Sequence, residues 1–278
     1  MQSFNPRLSP SLRSSSVEPL LPLGRLRLCL DSRDLPSSIT ICEIVSLEVT
    51  MDQDLSDRST SIDSLGESVF QSVYAAEDVA LNCDLQSIFW KEAHCVALEF
   101  DTHGRRYDQH FTQVRSRWTR TSLYILFICQ YEVLYLKPQP VTDRETFGLW
   151  DWDVAELFIG CDFHNISHYK EFEVSPQGEW VDLEVNLELP DHTVGWQWTS
   201  GCEIAARIDQ RQCVWYGAMR IPYSAIDSQA AAAGRVLRVN FCRSQGPPER
   251  RQLIAWRAPM KETFHVSEKF GHLELVNS

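Results

Sequence analysis

The stretch Tyr169-Lys-Glu-Phe-Glu-Val-Ser-Pro-Gln-Gly-Glu-Trp-Val-Asp-Leu-Glu-Val185 decides the fold. Its centre, Ser175-Pro-Gln-Gly178, reads as a turn, with φ fixed at Pro176 and a positive φ open to Gly178. The arms Tyr169–Val174 and Glu179–Val185 then pair as a β-hairpin. In the second arm Val181, Leu183 and Val185 alternate with Asp182 and Glu184, which predicts one dry and one wet face.

Outward from this hairpin the same pattern repeats. Leu123-Tyr-Ile-Leu-Phe-Ile-Cys129 is a continuous apolar run, rich in aromatic and β-branched residues and short enough for a buried strand. Val154–Ile159, Glu203–Ile208, Val214–Arg220, Arg235–Arg243 and Leu273–Val276 read as further strands. In Arg235–Arg243, Leu237, Val239 and Phe241 point one way and Arg238 and Asn240 the other. Helical periodicity is scarce; Ser228–Ala233 reads as a single turn ended by Gly234. Many short strands separated by turns predict an all-β chain, an antiparallel β-sandwich over residues 66–278. Residues 1–65 are Ser-, Pro- and Arg-rich, then Asp/Ser-rich, and read as a low-complexity, disordered N-terminal extension. Ile39–Val49 offers one short strand there, and Met51 opens a more ordinary segment that suggests an over-extended start.

The formal net charge of -12 argues against a phosphate-rich partner, so no nucleic acid is expected. No apolar stretch is long and uninterrupted enough for a membrane span, and Pro22, Arg25 and Arg27 spoil a signal peptide. The 9 cysteines form no C-x-x-C pair, and several, such as Cys129 and Cys242, sit in apolar runs. This leans towards a reducing, cytoplasmic compartment.

Leu149-Trp-Asp-Trp-Asp-Val-Ala-Glu-Leu-Phe-Ile-Gly160 resembles a strand of the family 9 carbohydrate-binding modules. Matches continue in the family's order at Tyr169–Val174, Ile221-Pro-Tyr-Ser-Ala-Ile226, Val239–Arg243, Ile254-Ala-Trp256 and Thr263-Phe-His-Val-Ser-Glu-Lys-Phe-Gly271. The similarity spans roughly residues 70–276 and is greatest to stand-alone, family 9-like domains. It implies a β-sandwich of jelly-roll or immunoglobulin-like topology that binds sugar without cleaving it, in carbohydrate catabolism.

A sugar ring presents apolar C–H faces bordered by hydroxyls, so its site needs flat aromatic surfaces and polar partners. The resemblance places the aromatic pair at Trp150 and Phe264 and makes Glu156 an acceptor for hydroxyls. Glu156 shares a strand face with Val154 and Phe158, where a carboxylate needs a partner; Arg243, on the face of Phe241, is the candidate ion pair and fourth site residue. Trp196 and Trp198, at strand spacing, either extend the platform or cover a sheet face. The chain departs from the family at Glu173, where members carry Arg, and at Met260 and Lys261, where they carry Asn. Both changes put the sugar specificity in question.

No cofactor is expected beyond a structural calcium, which the resemblance allows near Asp151, Asp153 and Asp162. His164 and His168 read as solvated loop residues rather than metal ligands, and Met219 with His265 makes no persuasive haem pair. Asn165-Ile166-Ser167 is formally a glycosylation acceptor. Two other functions compete with sugar binding. One is a glycoside hydrolase pairing Glu156 with Glu171 or Glu173. The other is a degenerate sandwich that serves protein interaction.

Overall fold

The computed structural model describes residues 68–277, so the expectations for residues 1–65, including Ile39–Val49 and Met51, fall outside the described residues. The described chain is all-β. Its strands are β1 (Val69–Tyr74), β2 (His94–Leu98), β3 (Phe100–Asp101), β4 (Thr112–Trp118), β5 (Ser122–Gln130), β6 (Val154–Gly160) and β7 (His168–Val174). They continue as β8 (Trp180–Asn186), β9 (Glu203–Asp209), β10 (Val214–Pro222), β11 (Val236–Gln245), β12 (Gln252–Ala255) and β13 (Gly271–Val276). One short helix, α1 (Ile88–Lys91), is capped by the Ser87 hydroxyl.

The hairpin forms as its sequence predicts. Tyr169 to Val174 pair with Val185 to Trp180, and the turn closes with Ser175 N–H donating to Glu179 O at 2.9 Å and Gly178 at φ +85°. Asp182 does not face water: it is 1% exposed, and its Oδ2 accepts from Ser200 N at 3.3 Å and from the Ser200 hydroxyl at 2.5 Å. Ser228–Ala233 forms no helical turn; Arg235 N–H reaches Ala232 O, and Gly234, at φ +84°, serves a tight turn there.

The pairing departs from two separate antiparallel sheets. One hydrogen-bonded path runs β8-β7-β6-β11-β13-β1-β4-β5-β10-β9 and curls towards a barrel. At its middle β1 lies parallel to both β13 and β4. The curl brings the two halves face to face: a Cβ on Gly217 of β10 would lie 2.7 Å from Val174 Cγ1 of β7.

The main core fills this space. Leu157 and Phe172 meet Phe127, Trp215, Met219 and Phe241, all 1% exposed or less. Each such side chain contributes roughly 1.5–3 kcal/mol by leaving water. Phe241 lies at the centre, with ring centroids of Phe70, Phe127 and Trp256 at 5.7, 6.1 and 5.8 Å.

The continuous apolar runs now have a cause. β5 sends Leu123, Ile125, Phe127 and Cys129 into the main core, while Tyr124 and Leu126 meet Phe89 and Trp90 on its other side. A strand covered on both faces has no wet side to alternate with. β6 is likewise covered twice: Ala155, Leu157 and Ile159 enter the core, and Val154 and Phe158 enter a second cluster with Leu149, Tyr169, Cys242 and Phe264. Glu156 lies on that second face.

Candidate functional site

Gly148, at φ +77°, opens a 3₁₀ turn over Leu149–Asp151. Leu149 is fully buried and anchors the turn, leaving Trp150 half-buried above the second cluster. Phe147, 49% exposed, stands edge-on to Trp150 at 5.0 Å and touches Trp196 at 5.2 Å. Three aromatic rings therefore form one surface beside the start of β6. Trp198 does not join it; its ring meets Phe172 and the Lys170 ammonium.

Arg251 clamps the loop, donating from Nη2 to the Trp150 and Trp152 carbonyls and from Nη1 to Gly246 O at 2.8 Å. Asp153, fully buried, accepts from Tyr135 N–H at 3.0 Å and Gly246 N–H at 2.7 Å. Trp152 stacks on Tyr135 at 4.7 Å. The loop that carries Trp150 is thus held by charge-assisted bonds to its backbone, which fixes the ring without using its face.

Behind the rings lies an acidic cluster. In the β6–β7 register Glu156 stands directly opposite Glu173, and Phe158 opposite Glu171. Glu156 is 3% exposed, Glu171 3% and Glu173 0%, with one carboxylate oxygen of each within 4.8 Å of the others. The Ser244 hydroxyl donates to Glu156 Oε1 at 2.8 Å; neither Glu173 oxygen has a hydrogen bond. His265 Nε2 lies 3.9 Å from Glu171, and its Nδ1 meets the Tyr169 hydroxyl at 2.6 Å.

Like charges directly opposite on neighbouring strands repel, and burial adds the cost of lost solvation. Burial pushes Glu156 up to about 7, against the pull of the Ser244 hydroxyl and Arg251. Burial, then the Glu156 charge, pushes Glu171 up to about 8. Glu173 is pushed well above the ordinary carboxylate range, by burial and then by both neighbouring acids.

The four residues expected from the sequence divide. Trp150, Glu156 and Phe264 share the second face, but Phe264 is 6% exposed and packs towards Phe158 at 6.3 Å, so the open rings beside Trp150 are those of Phe147 and Trp196. Arg243 lies on the opposite face. Fully buried, it donates to His110 O at 3.1 Å and Thr112 Oγ1 at 2.9 Å and has its guanidinium 5.8 Å from the Trp215 ring. The expected Glu156–Arg243 ion pair therefore does not form; Arg251, unnoticed in the sequence, is the cation whose field reaches Glu156.

Asp151, Asp153 and Asp162 do not converge. Asp153 is engaged as above, and Asp162 accepts from His164 N–H at 2.7 Å and Asn165 N–H at 3.1 Å. His164 and His168 are both exposed. Met219 is buried in the main core, while His265 borders the second face.

The model of the "Carbohydrate family 9 binding domain-like" family matches residues 87–278. The chain belongs to this family. An "Extracellular protein" of Arthroderma benhamiae is 26% identical over 179 residues, 59% of this chain and 78% of that one. That description gives no support to the cytoplasmic leaning of the cysteine pattern. A family 9 carbohydrate-binding module from Caldicellulosiruptor kristjanssonii, solved in complex with glucose, superposes with a TM-score of 0.54 at 12% identity, covering 76% of this chain and 97% of that one. The same family from that organism has also been solved with cellotriose, with a TM-score of 0.54 at 12% identity and coverages of 76% and 95%. A crystal structure from Bacteroides uniformis reaches a TM-score of 0.60 at 13% identity, covering 75% and 99%. At these identities the likeness shows the all-β fold. Among the described residues no helix is long and apolar enough to cross a membrane.

Proposed function

We propose that the chain binds carbohydrate without cleaving it, in the service of carbohydrate catabolism, on the face that carries Trp150. The observation that carries this reading is the aromatic surface of Trp150, Phe147 and Trp196 on a loop held by Arg251 and Asp153. Rigid rings can stack on the C–H face of a sugar with little ordering cost. Glu156, with Oε2 outside its bond to Ser244, is the acceptor for a hydroxyl at the buried end of this face. Family membership and the glucose and cellotriose complexes of the structural relatives support the ligand class.

A glycoside hydrolase is less well supported. Cleavage needs the glycosidic bond to lie between two carboxyl groups across a cleft. Glu156, Glu171 and Glu173 are instead side by side on adjacent strands, and each is 3% exposed or less. The departures at Glu173 and Lys261 favour the second reading, a sandwich turned to protein interaction.

Calorimetric titration of the full chain with mono- and oligosaccharides of glucose, xylose, galactose and mannose tests the proposal. Saturable binding that Trp150→Ala weakens at least tenfold is expected. A folded protein that gives no heat with any of these sugars refutes it and favours the interaction domain.

A further inference from the structure

We propose that Glu156, Glu171 and Glu173 form a site for one hard divalent cation, of which calcium is the best match. This goes beyond sugar binding: Glu156 is common to both readings, whereas Glu171 and Glu173 belong to the cation site alone. Three carboxylates from two paired strands converge, one oxygen from each lying within 4.8 Å of the others. Calcium takes oxygen ligands at about 2.3–2.6 Å, so ligands on opposite sides of the ion stand about 5 Å apart, which the 4.8 Å spread accommodates.

The second observation is Glu173. It is fully buried, and neither oxygen receives a hydrogen bond, although a buried carboxylate ordinarily collects several. Its register neighbours are Glu156 and Val181, a second acid and an apolar side chain, and the only polar group beside it on its own strand face is a third acid, Glu171. Arg251 approaches, but its hydrogen bonds go to the carbonyls of Gly246, Trp150 and Trp152. His265 stands at 3.9 Å from Glu171, at the rim of the cluster.

The donor set selects the class of ion. Carboxylates and the Ser244 hydroxyl, 2.8 Å from Glu156, are hard oxygen ligands. Cys242 lies opposite Glu156 in the register, but its sulfur is a soft ligand that a hard cation does not favour.

The test is calorimetric titration of the full chain, stripped with chelator, against calcium, magnesium and manganese chlorides at pH about 8. One calcium per chain is expected, with magnesium weaker because it demands tighter geometry. Glu173→Gln and Glu171→Gln, each checked for native circular dichroism, should each weaken calcium at least tenfold. Asp162→Asn, an exposed loop acid, should leave it unchanged. Trp150→Ala should also bind calcium as the parent does, which distinguishes failure of the cation site from failure of the aromatic surface. The proposal is overturned if folded protein binds none of the three ions. Calcium binding that persists undiminished in both glutamine variants overturns it equally.

Discussion

Replacing Glu173 by Gln should stabilise the metal-free protein at alkaline pH, an unusual outcome for a change at a fully buried position. Gln keeps the side chain's shape and removes its charge. Two unit charges at 4.8 Å repel by about 3 kcal/mol at an effective dielectric near 20. Glu173 faces two such neighbours, but all three acids hold protons more tightly than in water, so only part of that repulsion develops. A gain of about 2–4 kcal/mol is expected at pH about 9, above the values of Glu156 and Glu171, and less than about 1 kcal/mol at pH about 5.

The parent's own pH dependence has the matching sign. The folded-state pKa values of Glu156 and Glu171, about 7 and about 8, lie above the ordinary 4.5. The folded state therefore binds more protons than the unfolded chain across that interval, and stability falls as pH rises. The contribution is complete below 4.5 and lost as pH passes through 7 and 8. Urea unfolding in chelator, followed by far-ultraviolet circular dichroism at both pH values, measures the parent and the variant. A variant less stable than its parent by more than about 1 kcal/mol at pH about 9 would refute the reasoning, as would a gain that does not change with pH. In that case the carboxylates would be satisfied in some other way.

Arg243→Met should leave sugar affinity within about twofold, because the guanidinium faces the main core. Its stability should change by less than about 2 kcal/mol, since Nε and Nη2 lack partners and a buried ion gains little over an apolar isostere; a tenfold loss in sugar titration would contradict the placement. Gly217→Ala should cost about 2 kcal/mol in urea unfolding, as its Cβ would meet Val174 at 2.7 Å and the Trp215 ring at 3.0 Å. Phe147→Ala should weaken sugar binding less than Trp150→Ala while leaving unfolding within about 1 kcal/mol, because Phe147 is 49% exposed; unchanged sugar titration heats would remove it from the platform.

Much of this architecture is legible in the sequence because it is local. The 169–185 hairpin follows from its turn residues, and the strand at 123–129 from its apolar run. The parallel placement of β1 between β13 and β4 joins Val69 to His272 and Val73 to Arg117, and no short-range pattern encodes it. Asp182 misleads for a related reason: alternation assigns it to water, but the segment after β8 returns to cover that face and supplies Ser200 as a donor.

The site shows the same limit more sharply. Within each strand the alternation is read correctly: Glu156 goes with Val154 and Phe158, and Arg243 goes with Phe241. Whether those two faces coincide depends on the register between β6 and β11, which no single strand carries. Cys242, not Phe241 or Arg243, stands opposite Glu156, and this one-residue parity sends the arginine into the core and leaves the glutamate with two other acids. A slip of one residue reverses every facing in a strand. The charge balance of the site was therefore decided by a long-range pairing. Its consequence, three buried carboxylates with Ser244 as their neutral donor, is what makes a cation the natural complement of this face.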